Sequence, residues 1–184
     1  MSTQGMSTLP AVAGAAPVIE MDGGAGQHQQ HLCLSVAQET YAVPIEAVRE
    51  ILEVGRLTPL PLTPDFVTGV MNLRGAVVPV IDLRARFMGQ PTEIARRSSI
   101  VIVEVGRGDQ DGALVVGVLV DGVSEVLEIA EEDIEPPPAL GVRIPREFLA
   151  GMAKVRDRLM PVLELERVLS REALSSLIAA HLAH

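Results

Sequence analysis

Gly69-Val70-Met71-Asn72-Leu73-Arg74-Gly75-Ala76-Val77-Val78-Pro79-Val80-Ile81-Asp82-Leu83 is the stretch whose reading decides the fold. Two short apolar runs flank an Arg74-Gly75 corner, the pattern of a β-hairpin whose glycine takes the positive-φ position of the turn. The second run carries Pro79, which cannot donate to a ladder and is therefore expected at an edge or a bulge. The stretch holds no nucleophile, metal-ligand cluster or phosphate cradle. A well-specified hairpin without chemistry points to a surface that touches other proteins.

The stretch occurs twice. Residues 148–165 repeat residues 66–83 without a gap: Phe148 matches Phe66, Gly151 matches Gly69, and Arg156 matches Arg74. Pro161 matches Pro79, Val162 matches Val80, Glu164 stands for Asp82, and Leu165 matches Leu83. Upstream, residues 45–54 echo residues 120–129, which sets Val48 with Glu50 against Val123 with Glu125. Two copies of one pattern imply two similar small β units in a single chain.

The chain has 184 residues, room for one domain or for two small lobes that share a core. Hydrophobic residues make up 48% but aromatics only 2%, so the core is expected to be Val, Ile, Leu and Ala on short strands. A formal net charge of −9 and the shortage of stacking rings exclude a nucleic-acid partner and disfavour an anionic membrane. No apolar run approaches the roughly 20 residues of a membrane span. The apolar run at residues 9–19 has no Lys or Arg before it, as a signal peptide would need, so a cytoplasmic protein is expected. Cys33 is the single cysteine, which rules out an intrachain disulfide; its alternating neighbours make it an ordinary strand residue.

Residues 1–30 read as a disordered tail rich in Ala, Gly, Gln and Ser, and their glycine cluster at 23–26 lacks the context of a phosphate loop. Strands are expected at 31–36 and 41–43 around a Gln38-Glu39 turn. Residues 44–52 have helical spacing, while 51–57 suit a strand equally well; the pattern leaves both open. The proline-dense residues 58–64 form an extended connection. A helical turn is expected at 84–88, a polar seam between the copies at 89–97, and strands at 100–105, 113–120 and 124–129. The loop between the first two of these contains Arg107-Gly108-Asp109, read as turn chemistry rather than a cell-adhesion signal. Ser170 is placed to cap a C-terminal helix, with Leu174, Leu177, Ile178 and His181 as its apolar stripe.

Chemistry is hard to find. The histidines cluster near the chain ends without metal spacing, and no hydrolase, nucleotide-binding or kinase motif is present, so neither a cofactor, a metal nor an enzymatic activity is expected. Glu164 and Glu166 would share a face if residues 162–166 were a strand; alternation with Leu163 and Leu165 makes them the wet side of an edge strand. Asp82 and Glu164, equivalent in the two copies, are expected to cap helical turns. Arg74 is the residue with a functional reading, since an arginine at a protruding corner can make a bidentate carboxylate contact at an interface; a solvent-facing turn arginine is the bland alternative. Val48 and Val123 are read either as barrel core or as the lining of a groove.

These residues resemble the CheW family, the coupling proteins of bacterial chemotaxis. The resemblance spans residues 31–169 and is carried by Gly69-Val70-Met71-Asn72-Leu73-Arg74-Gly75, by Val78-Pro79-Val80-Ile81-Asp82-Leu83-Arg84, and by blocks at 45–51, 118–126 and 151–155. It implies a mainly β fold of two five-stranded SH3-like barrels with short helices, at about 31–95 and 96–169, with room for strand exchange between lobes, followed by a C-terminal helix at 170–184. It implies a free-standing adaptor in signal transduction by a two-component system, linking the cytoplasmic tips of chemoreceptors to the regulatory domain of the histidine kinase CheA. The protein would be cytoplasmic and recruited to membrane-associated arrays, with no direct insertion in the membrane. Carried across by position, Ile45, Val48, Glu50, Gly69, Arg74, Gly75, Gly117, Val123 and Val126 would lie at or near the contacts with receptor and kinase. Two other readings stand beside it: a small-ligand module closing its inter-lobe groove on an anionic metabolite, and an adaptor of a non-chemotactic array governing surface motility or biofilm.

Overall fold

A computed structural model describes residues 27–169 apart from 107–109, 111, 140 and 142. Residues 1–26 of the expected tail, the Arg107-Gly108-Asp109 tripeptide and the expected C-terminal helix lie outside the described residues. The strands are β1 (His28–Val36), β2 (Glu39–Pro44), β3 (Val48–Glu53), β4 (Val67–Leu73), β5 (Ala76–Asp82), β6 (Ser99–Val105), β7 (Leu114–Val120), β8 (Gly122–Ala130), β9 (Ile134–Glu135), β10 (Leu149–Val155) and β11 (Arg158–Leu163). Two short helices, α1 (Leu83–Met88) and α2 (Leu165–Val168), follow β5 and β11. The fold is mainly β, as expected.

The strands form two sheets, ordered β8-β1-β2-β11-β10-β9 and β3-β6-β7-β5-β4. Each closes on itself. In the five-stranded sheet, Leu52 of one edge strand and Met71 and Leu73 of the other pack on a shared cluster of Val80, Ile100, Ile102 and Leu119. In the six-stranded sheet, Leu127 and Ile134 from the two edges pack on Ala42, Ile129, Ala153 and Val162. The repeat explains the correspondence: Leu52, Met71 and Val80 are the counterparts of Leu127, Ala153 and Val162. Alternate residues of the same strands face the other way and build the largest cluster between the sheets, with Leu32, Leu34 and Val36 of β1 meeting Val101, Val103 and Val105 of β6. Thus the small barrels have their own cores and share a third.

Sheet membership does not follow a cut at 95/96. The five-stranded sheet takes residues 48–120 whole, and the other combines the N-terminal hairpin with everything from β8 onward. The sixth strand of that second sheet, β9, has only two residues. Parallel pairs join the copies to their sheets in the same way, β5 to β7 and β11 to β2. This placement corrects the expectation for Pro79. β5 is an internal strand; Pro79 faces Val70, whose N–H and C=O both turn to Thr58 at 2.8 Å. The proline nitrogen therefore lies on the β7 side, and the parallel ladder there begins one residue later, at Val80.

All four aromatic rings of the chain gather where the sheets meet. Tyr41 packs on Phe87 with centroids 5.4 Å apart, and Phe87 on Phe148 at 5.9 Å. The Arg86 guanidinium lies over both Phe66 (4.5 Å) and Phe148 (4.7 Å), the matching phenylalanines of the two copies. Its Nε donates to the carbonyl of Val168 at 2.8 Å, and Val168 is the counterpart of Arg86 itself. One side chain thus ties the two units at the junction.

Several local expectations shift. β1 starts at His28, three residues earlier than read. The first turn sits at Ala37-Gln38, both at positive φ, because the Asp121 carboxylate accepts the Ala37 N–H at 2.7 Å. The ambiguous stretch after Pro44 is a single 3₁₀ turn, Ile45–Ala47, followed by β3. Glu164 and Glu166 are not the wet face of an edge strand. β11 ends at Leu163 and lies between β2 and β10, and Glu166 belongs to α2, where it accepts the Gly106 N–H at 2.7 Å.

Candidate functional site: the paired hairpin corners

The β4–β5 turn is a two-residue connection with Arg74 at φ 53° and Gly75 at φ 89°. Both central residues being left-handed is the turn geometry that matches strand twist in a hairpin. Asn72 Oδ1 accepts the Gly75 N–H at 3.0 Å and fixes the corner. From there the exposed Arg74 reaches across to β3, and its two terminal nitrogens donate to the two carboxylate oxygens of Glu50 at 2.6 and 2.8 Å. The bond from Arg74 holds the Glu50 carboxyl below its ordinary range, and Glu50 in turn raises the arginine. The corner therefore presents a guanidinium already oriented by one carboxylate.

The second copy repeats the device with looser geometry. Arg156 and Asp157 form the β10–β11 turn at φ 50° and 63°, and Arg156 Nη1 stands 3.5 Å from Glu125 Oε2. Apolar groups are duplicated beside the charges. Ile51 (44% exposed) and Val77 (38%) are the counterparts of Val126 (47%) and Leu159 (57%). These four account for most of the large hydrophobic side chains that the described residues leave in solvent. Of them, only Val126 was among the residues singled out from sequence. The signal was present in the alignment of the repeats, where Glu50 meets Glu125 and Arg74 meets Arg156; pairing those two coincidences would have found both corners.

The other expected contact residues divide into two groups. Ile45, Val48 and Val123 are half-buried against the shared core, which leaves part of each accessible. Gly69 and Gly117 are buried, and crowding accounts for each. A β-carbon on Gly69 would lie 2.4 Å from the Thr58 carbonyl oxygen, and one on Gly117 would lie 2.9 Å from Ile100 Cγ2. Gly151 repeats the Gly69 arrangement, 2.6 Å from Ile134 Cγ2 and 2.7 Å from the Glu135 carbonyl oxygen. Gly69 and Gly151 let another segment pass closely, and Gly117 makes room for the core side chains of β5 and β6.

No group of three or more metal-ligating side chains exists among the described residues. Cys33 is buried, with its thiol pushed up by desolvation and its Sγ 3.8 Å from Met160 Sδ, which fits an inert core residue.

A family model described as the CheW-like domain matches residues 30–173. The chain belongs to the CheW family. It is 34% identical over 164 residues to the chemotaxis protein CheW of Klebsiella aerogenes, covering 89% of this chain and 95% of that one. It is 36% identical over 140 residues to protein FrzA of Myxococcus xanthus, covering 76% and 82%. The crystal structure of the scaffolding protein TtCheW from Thermoanaerobacter tengcongensis superposes with a TM-score of 0.69 at 33% identity, covering 82% of this chain and 93% of that one. The SH3-like lobes expected from the resemblance fit that match. The chain is thus a CheW-family scaffold of chemosensory signalling, a family that works by assembly rather than by catalysis. No helix among the described residues is long and apolar enough to cross a membrane.

Proposed function

We propose that this CheW-family chain is a non-enzymatic, cytoplasmic adaptor that couples methyl-accepting chemoreceptors to the histidine kinase CheA in membrane-associated arrays. The observation that carries this reading is the duplicated corner: an arginine oriented by a glutamate and flanked by exposed apolar side chains, once on each barrel. A protein that must hold two partners at once needs two separate faces, and duplication supplies them. Arg74, Gly75, Glu50, Ile45 and Val48 form the contact set of one lobe, and Val123 and Val126, with Arg156 and Glu125, that of the other. Each contact is expected to be modest, roughly 1,200 Å² or less, with the array adding avidity. The experiment is reconstitution: the purified chain should co-sediment receptor signalling fragments with the kinase only when all three are mixed. Failure to recruit either partner contradicts the proposal.

A further inference from the structure

A cavity of about 280 Å³ opens between the two sheets, away from the corners. Among the described residues its charged side chains are Glu46, Glu104, Glu164 and Glu166, and no described Lys or Arg lines it. That lining argues against the anionic metabolite considered from sequence. The acids are not equally engaged. Glu46 accepts a hydrogen bond from Gln29 Nε2 at 3.2 Å and Glu166 holds the Gly106 N–H. Glu164 makes no side-chain bond at the start of α2.

The repeat shows why this is informative. Asp82, the counterpart of Glu164, is buried and fully used, accepting from the Ala85 N–H (3.2 Å), the Thr92 N–H (2.8 Å) and the Thr92 hydroxyl (2.7 Å). The second copy carries one methylene more, makes no capping bond and lines a cavity. Two residues on, Arg84 of the first copy is replaced by Glu166. His31 lines the same cavity and is only 1% exposed. Its Nδ1 lies 3.1 Å from the Gln29 carbonyl oxygen, which places the proton there. Nε2 is left as an acceptor with no partner among the described residues, and burial lowers the ring's pKa, keeping it neutral. Val105, Ile134 and Leu163 supply an apolar wall.

We infer that the cavity beneath Glu164 and His31 is a binding site for a small organic cation, an ammonium or guanidinium head on a short alkyl chain. Unpaired carboxylate and imidazole acceptors take the head, and the aliphatic wall takes the methylenes. The volume lies just under the ~300 Å³ at which drug-sized pockets begin, so the occupant is the size of one side chain. Either a free amine or an arginine or lysine side chain offered by a bound protein has this chemistry.

The test is titration of the full chain with agmatine by calorimetry, with a short peptide carrying one central arginine in parallel. Saturable one-to-one binding of agmatine, of the peptide, or of both supports the site and tells free ligand from partner side chain. Glu164→Gln should weaken that binding at least fivefold at unchanged thermal stability, whereas the distant exposed Glu132→Gln should leave it intact. No saturation by either probe overturns the inference. So does equal binding by Glu164→Gln, or equal binding of glutarate. None of these results bears on recruitment of receptor and kinase, so the adaptor proposal stands or falls separately.

Discussion

Two hairpins of one design sit in this molecule, and their differences separate what the fold demands from what has been left free to change. Both copies keep the tight two-residue turn, the register shift beside the crossing glycine, the proline one residue ahead of a parallel ladder and the backbone bond that precedes the short helix (Asp82 N–H to Phe66, Glu164 N–H to Phe148, each 2.8 Å). They differ in their polar side chains. The first copy engages Arg74 in a two-pronged bond and Asp82 in three hydrogen bonds; the second holds Arg156 by one long contact and leaves Glu164 unengaged. Backbone requirements are thus shared, while the polar work of the first copy has been released in the second.

The sharpest way to probe that comparison is at the crossing glycines. Gly69→Ala forces a β-carbon against the Thr58 carbonyl with φ at 153°, whereas Gly151, crowded by Ile134 Cγ2 and the Glu135 carbonyl oxygen, has no positive φ to add strain. Thermal denaturation should show Gly69→Ala destabilised by about 3 kcal/mol or more and Gly151→Ala by about 1–3 kcal/mol. Equal losses would mean that the two crossings are energetically alike. Next in size is the cap. Asp82→Ala strips the α1 cap and leaves the buried Thr92 N–H without a partner, a loss of about 2–4 kcal/mol. Glu164→Ala, by contrast, should change stability by less than about 0.5 kcal/mol. A comparable loss at both positions would contradict the division of labour between the copies.

The smallest effect concerns pH. Arg74 holds Glu50 below its unfolded value, so the pair contributes stability above the ordinary carboxylate range and loses it as pH falls through the lowered value. The pair is exposed, and salt should mute the effect. Glu50→Gln should therefore flatten the acid limb of the stability profile slightly. An acid limb unchanged in Glu50→Gln would contradict the contribution of the pair.

Much of this was legible in the sequence, for physical reasons. The hairpins announce themselves because alternation and a glycine corner are local signals, and the repeat multiplies them. Asp82 as a cap was readable from an acid just ahead of a helical turn. What escaped depends on distant partners. Ala37 carries no turn signal, and its left-handed conformation rests on a carboxylate 84 residues away. The sheet to which β5 and β11 belong follows from parallel pairings with strands far along the chain, which periodicity cannot report. Glu164 and Glu166 misled because Leu163 and Leu165 mimic alternation, although the strand stops between them and a helix takes over. Gly69 belongs to the family motif and Gly117 was carried across by position, yet both are buried, Gly69 under a passing segment and Gly117 among core side chains.

The central claim, that the Arg74 corner is a docking face rather than a structural tie, is tested most directly by capture of receptor fragment and kinase on immobilised Arg74→Glu, with Arg156→Glu alongside. The account predicts a melting profile lowered only slightly for Arg74→Glu, as loss of one exposed pair requires, and at least a tenfold loss of one of the two partners. Undiminished capture of both by the folded variant would contradict it.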